Sequence, residues 1–197
     1  MEKQNVVITG VSGYLGSHTC LLFLKDGSYN VKGTVRDKDN AAKIEPLKKA
    51  FGDLFNNLEL VNADLTDDAS MAAAIQGAHI VVHTASPFAL KGEADEEAYT
   101  KPAVQGTMSV MKAAASAGVK RVVITSSVVT VVDCGKEKPA HYTPEDWSIE
   151  ANQTMYSKSK TMAEKAAWDF LKTPEGSHIN LVTINPGLIA GPPLTPT

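Results

Sequence analysis

The sequence predicts an α/β protein built on a doubly wound parallel sheet, with helices on both faces and the strand order 3-2-1-4-5-6. Three observations carry that expectation. Short β-branched runs alternate with longer helical patterns along the whole chain, as in repeated βαβ units. A glycine-rich loop, Gly10-Val11-Ser12-Gly13-Tyr14-Leu15-Gly16, directly follows the first apolar run. Each helical pattern carries a stop signal where the chain has to turn.

In order along the chain, the first strand is expected from Val6 to Thr9, and the glycine loop turns it into a helix over Tyr14 to Lys25, closed near Gly27. A second strand, Asn30 to Val35, precedes a helix from Ala41 to Ala50. The third strand, Leu58 to Asn62, leads through a cap region at Thr66 to Asp68 into a helix over Ala69 to Gln76, ended by Gly77. The fourth strand runs from Ile80 to Thr84. After it, Val104, Met108, Met111 and Ala115 recur at helical spacing within Lys101 to Ala117, which stops at Gly118. The fifth strand spans Arg121 to Ser126, a helix covers Met155 to Lys172 before Pro174, and the sixth strand spans Ile179 to Asn185.

Two stretches interrupt the alternation: a polar, acidic excursion from Pro87 to Ala98 and a long loop from Asp133 to Gln153. Both leave the carboxyl ends of strands, where open α/β sheets bind ligands, so they are expected to flank an active site. The last residues, from Pro186 on, read as a Pro/Gly-rich exit.

At 197 residues the chain suits one domain with one sizeable core. A net charge of −3 provides no basic surface for nucleic acid, and no apolar stretch has the length of a membrane span. With the first strand starting almost at once, no signal peptide is expected and a cytoplasmic location is the default. Cys20 and Cys134 have no CxxC partner and read as reduced structural thiols. His18, His79, His141 and His178 show no ligand spacing, so no metal is expected. Glu93, Asp95, Glu96 and Glu97 read as a solvated face, and Trp147 and Trp168 as packing residues.

The glycine loop is the expected cofactor site. Its turn leaves no room for a Cβ, its backbone must approach a pyrophosphate closely, and the helix N-terminus behind it favours negative charge. Gly10, Ser12, Gly13, Tyr14, Leu15 and Gly16 are therefore cofactor-binding candidates. At the end of the second strand, where an acidic residue would meet a ribose 2′-hydroxyl, the chain has Thr34-Val35-Arg36-Asp37. The planar fork of Arg36 can clamp a 2′-phosphate, which favours NADPH/NADP+ over NADH, and Lys43 can add a second positive charge. Asp64 and Leu65 are expected beside the adenine edge, and His83, Thr84, Ala85, Ser86 and Pro87 near the ribose and nicotinamide.

Tyr156 and Lys160 lie four residues apart on one helix face. Hydride reduction of a carbonyl needs a proton donor for the nascent alkoxide and a hydrogen bond to hold the oxygen. A phenol, with an ordinary pKa of about 10, becomes a better exchanger when an ammonium one turn away stabilises the phenolate. Tyr156 is read as the acid and Lys160 as its partner, also able to hold the ribose hydroxyls, and both are expected among the cofactor-binding residues. Ser127 is read as the donor to the substrate oxygen, with Ser126 or Thr125 facing the sheet.

The chain resembles the extended short-chain dehydrogenase/reductase family, in its dihydroflavonol 4-reductase-like and cinnamoyl-CoA reductase-like branch. The resemblance runs through Gly10, Gly13 and Gly16, Thr34 to Asp37 with Lys43, Ala63-Asp64-Leu65, His83 to Pro87, Lys101 to Thr107, Thr125 to Ser127, Tyr156 to Lys160, and Asn185-Pro186-Gly187 with Gly191-Pro192. It implies a Rossmann-type fold, NADPH as cofactor, Ser127, Tyr156 and Lys160 as a catalytic trio, and cofactor contacts from Arg36, Lys43, Asp64 and Pro186; Leu188 is expected beside them. The implied activity is reduction of an aldehyde or ketone by hydride transfer, on a small-molecule carbonyl or alcohol substrate. Val132 stands where flavonoid reductases of this branch place a substrate-binding asparagine, which argues against a dihydroflavonol substrate. Such proteins continue into a C-terminal substrate-binding subdomain, so residues 1–197 are expected to be the nucleotide-binding domain without it. Two alternatives stay open: a non-catalytic NADP-binding regulatory or truncated form, and an NAD-linked sugar epimerase or dehydratase, which Arg36 disfavours. The assembly is left open, a homo-oligomer included.

Overall fold

The structure, a computed structural model, describes residues 2–86, 96–132, 141–149, 151 and 153–195. Cys134, Pro87, Glu93 and Asp95 lie outside the described residues, as do most of the acidic excursion and residues 133–140, 150 and 152 of the long loop.

Six strands form one parallel sheet: β1 (Gln4–Thr9), β2 (Tyr29–Val35), β3 (Leu58–Asn62), β4 (Ile80–His83), β5 (Arg121–Thr125) and β6 (Asn180–Ile184). Their order is β3-β2-β1-β4-β5-β6, the one expected. In register, Val6 pairs with Val31 on one side and Ile80 on the other, and Thr9 with His83.

A strand's side chains alternate between faces, and both faces here are apolar because both are covered. Val6 and Ile8 of β1 pack with Cys20 and Leu24 of α1 (Tyr14–Asp26) and Leu47 and Phe51 of α2 (Ala41–Phe51). Val7 points the other way, into a core shared with Met71 of α3 (Asp68–Ile75), Val110 and Met111 of α4 (Glu96–Ser116) and Ala167 and Phe170 of α5 (Met155–Phe170). Cys20 is buried and unpaired, and burial pushes its thiol up to about 12, so it behaves as a small apolar side chain.

Several boundaries differ from the sequence reading. β4 stops at His83 and β5 at Thr125, so Thr84 and Ser126 belong to the loops that follow. α4 begins at Glu96 instead of Lys101, and Pro102 lies inside it. Glu96 and Glu97 are therefore its first turn, where negative charge suits the helix dipole, and not merely a solvated face. Glu97 pairs with Lys101 at 2.5 Å, and Glu96 with Lys158 of α5 at 2.6 Å. Short 3-10 turns at Gly52–Asn57 and Val128–Thr130 were not foreseen. The Pro/Gly-rich exit packs back across α1: the Pro192 carbonyl lies 3.1 Å from His18 Nε2, Thr195 is buried, and Leu194 joins the core.

Gly33 of β2 sits where a Cβ would lie 2.8 Å from both methyl groups of Val11 and 3.2 Å from Leu58. Gly33→Ala is expected to cost about 1–3 kcal/mol through overpacking. Urea denaturation measures it, and an unchanged midpoint would contradict the close packing of β2 against the glycine loop.

Candidate functional site

The glycine loop is shaped by close approaches. Gly10 has φ +73°, and a Cβ on it would lie 3.0 Å from the Ala85 Cβ. A Cβ on Gly16 would collide with the Gly10 carbonyl and come within 2.8 Å of Thr84 Oγ1. The amides of Gly10 and Val11 both donate to the Thr34 carbonyl at 3.1 Å, anchoring the loop to the end of β2. Helix α1 starts behind it with Gly13 as N-cap and no side-chain capping bond. Its first-turn amides are therefore open to an anion, with no side-chain cap in the way.

A groove of about 740 Å³ opens over this loop. Its walls are the glycine loop, Thr34 to Arg36, Ala63 to Thr66, and Thr84 to Ser86. Gly10, Ser12, Gly13, Tyr14, Leu15, Gly16, Arg36, Asp64, Leu65, Thr84, Ala85 and Ser86, all expected at a cofactor site, line it. Lys43 is exposed on α2 and is not among the lining residues; neither are Pro186 and Leu188, the latter 99% exposed. Asp64 Oδ1 accepts from the Thr66 hydroxyl at 2.7 Å and the Thr66 amide at 2.8 Å. These bonds, with a smaller contribution from the Arg36 charge, hold its carboxyl below the usual range. A larger hollow of about 950 Å³ lies between α5, β6 and residues 142–147. It has no glycine cradle, so the smaller groove is the nucleotide candidate.

At the groove's inner end, Thr9 Oγ1 accepts the amides of Thr84 and Ala85, each at 3.1 Å. Both partners can only donate, so the Thr9 hydrogen goes to His83 Nδ1, 2.8 Å away. That bond selects the neutral His83 tautomer with its proton on Nε2. Burial, and then the nearby Lys160 charge, push His83 down to about 3. Burial also lowers the Lys160 ammonium below the usual lysine range, and its Nζ lies 3.4 Å from Ser86 Oγ.

Thr154 caps α5, its hydroxyl accepting from the Ser157 amide at 3.2 Å, which sets Tyr156 in the first turn and Lys160 one turn on. Tyr156 is 45% exposed. Ser127 is buried at the head of the Val128–Thr130 turn, and its Oγ accepts from the Val129 amide at 3.4 Å. Among the described residues no hydrogen bond joins Ser127, Tyr156 and Lys160 to one another. Ser126 does not simply face the sheet: its hydroxyl donates to the buried Glu164 carboxylate of α5.

Sequence reasoning placed His83 near the ribose and nicotinamide with the loop after the fourth strand, but not as the partner of Thr9, and it missed Thr9 and Glu164. Thr9 and His83 are polar residues that end the apolar runs Val6 to Ile8 and Ile80 to Val82, at paired register positions. Glu164 stands at i+4 from Lys160, among Ala163, Ala166 and Ala167. Those were the available signals.

The 3-beta hydroxysteroid dehydrogenase/isomerase family model matches residues 7–193. The chain belongs to this family. It is 39% identical over 198 residues to a cinnamoyl-CoA reductase, CAD2, of Medicago truncatula, a match covering 97% of this chain and 59% of the relative. It is 38% identical over 209 residues to a dihydroflavonol 4-reductase of Gerbera hybrida, covering 100% and 55%. Among solved structures, Gre2 of Candida albicans in complex with NADPH superposes with a TM-score of 0.79 at 33% identity, over 96% of this chain and 59% of that one. The chain thus spans little more than half the length of the relatives it matches.

His83 gives the fold an acid sensitivity. Its folded value, about 3, lies below the ordinary 6.5, so between those values the unfolded chain takes up a proton that the folded chain refuses. Stability is therefore lost as pH falls through that window, by about 2 kcal/mol between pH 7 and pH 5 from this group. His83→Asn, whose carbonyl can still accept from Thr9, is expected to abolish most of this dependence. Equal pH slopes for the two proteins in denaturant titrations would contradict a neutral buried His83.

Proposed function

We propose that the chain is the nucleotide-binding part of an NADPH-dependent oxidoreductase that reduces an aldehyde or ketone to an alcohol. The observation that carries this reading is the groove. It has a glycine cradle under a helix N-terminus, Arg36 on one wall, and at its other end Ser86, which also meets Lys160. At Gly10 and Gly16 the missing Cβ atoms let the loop pack against Ala85, Thr84 and itself, which holds it under the uncapped N-terminus of α1, so these residues fit a dinucleotide pyrophosphate. Family membership and the named reductases among its relatives support the same reaction class.

Gly10, Gly13 and Gly16 would hold the pyrophosphate, Arg36 the 2′-phosphate, and Asp64 and Leu65 the adenine end. Bound NADPH would supply hydride to the carbonyl carbon. The chain's own residues do the rest. The Ser127 oxygen is already engaged as an acceptor, so its hydrogen is the part left to point at a carbonyl oxygen. Tyr156, exposed in the first turn of α5, can pass its phenolic proton to that oxygen as charge develops. The Lys160 ammonium, one turn along, stabilises the negative charge left on the phenol. Because burial has stripped it of much of its water, its field is weakly screened.

Two measurements test this. NADPH is expected to bind more tightly than NADH, and Arg36→Ala to narrow the gap by about 1–3 kcal/mol, the worth of charge-assisted phosphate contacts. Equal affinities of the native chain for the two nucleotides would contradict the assignment. Tyr156→Phe is expected to lower kcat for carbonyl reduction by about 10²–10⁴-fold while leaving NADPH affinity unchanged. Comparable turnover by the Phe variant would require another acid. NADPH binding by the native chain without turnover on a panel of aldehydes and ketones would favour a binding role.

A further inference from the structure

Glu164 is an ionisable side chain in the wrong place for a surface helix. It is 6% exposed, on the face of α5 that meets the ends of β5 and β6. A carboxylate is costly to bury unless donors surround it. Three do: the Ser126 hydroxyl and Asn185 Nδ2, the latter at 2.9 Å, both reach Oε2, and Trp168 Nε1 lies 3.3 Å from Oε1.

Two of these three donors hold the backbone around Ser127. Ser126 precedes it in the chain. The other Nδ2 hydrogen of Asn185 reaches Thr130 Oγ1 at 2.8 Å, and the Thr130 hydroxyl donates to the Ser127 carbonyl at 3.0 Å. Asn185 Nδ2 also lies 3.3 Å from that carbonyl. On the other side, the Val128 amide donates to the Pro186 carbonyl at 2.9 Å. The carboxylate thus sets which way the Asn185 amide points, and through it clamps Ser127 between β6 and the helix that carries Tyr156 and Lys160.

We infer that Glu164 is a positioning residue: its buried carboxylate locks the ends of β5 and β6 onto α5 and thereby fixes the Ser127 hydroxyl relative to the Tyr156 helix. This rests on the role given to Ser127 above. A leucine of similar size cannot replace it, because it offers no acceptor to Ser126, Asn185 or Trp168. Displacement of Ser127 by a fraction of an ångström then degrades the geometry of the reacting oxygen without touching the nucleotide groove.

The test is Glu164→Leu in the full chain, read by steady-state reduction of a carbonyl substrate, by NADPH titration, and by hydrogen exchange resolved to peptides. The expected pattern is a fall in kcat of at least about 10-fold with KM and NADPH affinity within about twofold of native. Exchange should be faster over residues 126–132 and unchanged over residues 10–16. Unchanged kcat overturns the inference. So does a general acceleration of exchange with weakened NADPH binding, since that is the signature of a merely stabilising side chain. Should the native chain turn over no carbonyl, the proposed function fails separately and exchange alone decides: no acceleration over 126–132 overturns the clamp. If Glu164→Leu does not fold, Ser126→Ala, which removes one donor and keeps the carboxylate, is expected to show the same local pattern in smaller measure, and its absence is equally decisive.

Discussion

The hydroxyl of Thr9 sits where the first and fourth strands end, and its three hydrogen bonds join the two loops that form the groove. It accepts the amides of Thr84 and Ala85 and donates to His83, while the Thr9 carbonyl accepts from the Thr84 hydroxyl at 2.6 Å. That places Ala85 against Gly10 so closely that only glycine fits there. Thr34 holds the same loop from the other side. The cradle is therefore a consequence of strand ends in register, braced on both sides before any ligand arrives, which is the condition under which backbone amides bind an anion at little reorganisation cost.

The buried polar groups around this edge divide the electrostatic work. His83 is held neutral by burial and by Thr9, so it adds no second positive charge beside Lys160. Lys160 keeps a desolvated ammonium facing Ser86. Glu164, one turn further along α5, is surrounded by donors and ties two strand ends to the helix. Tyr156 alone of the expected trio stands substantially exposed, where a substrate could reach it. Much of the geometry at this edge is set by residues that do not line the groove, Thr9, His83 and Glu164 among them.

The sheet order and the two-sided core were legible because apolar β-branched runs, glycine turns and helical spacing all point to one arrangement. The glycine loop and the groove residues after the first four strands were legible for the same reason: each sits at a strand's carboxyl end, a position counted along the chain. The early start of α4 was not, because Pro102 and a run of acidic residues look like a loop until Lys158 is known to lie beside Glu96. The packing of the exit segment on α1 depends on a contact between His18 and Pro192, residues far apart in the chain. Thr9, Glu164 and the role of His83 as partner to Thr9 escaped notice because a polar residue in an apolar run has no visible partner until the register Thr9 to His83 and the approach of Asn185 to Glu164 are known.

The most direct test of the groove as a site for a phosphorylated dinucleotide is a phosphorus NMR titration of NADP+ with the chain, following the 2′-phosphate resonance against pH. The expected result is a shifted resonance whose second ionisation moves to lower pH on binding, because the Arg36 guanidinium favours the dianion. A 2′-phosphate that titrates as it does free in solution, at protein concentrations that saturate the pyrophosphate signals, would contradict the assignment of Arg36 and with it the NADPH reading.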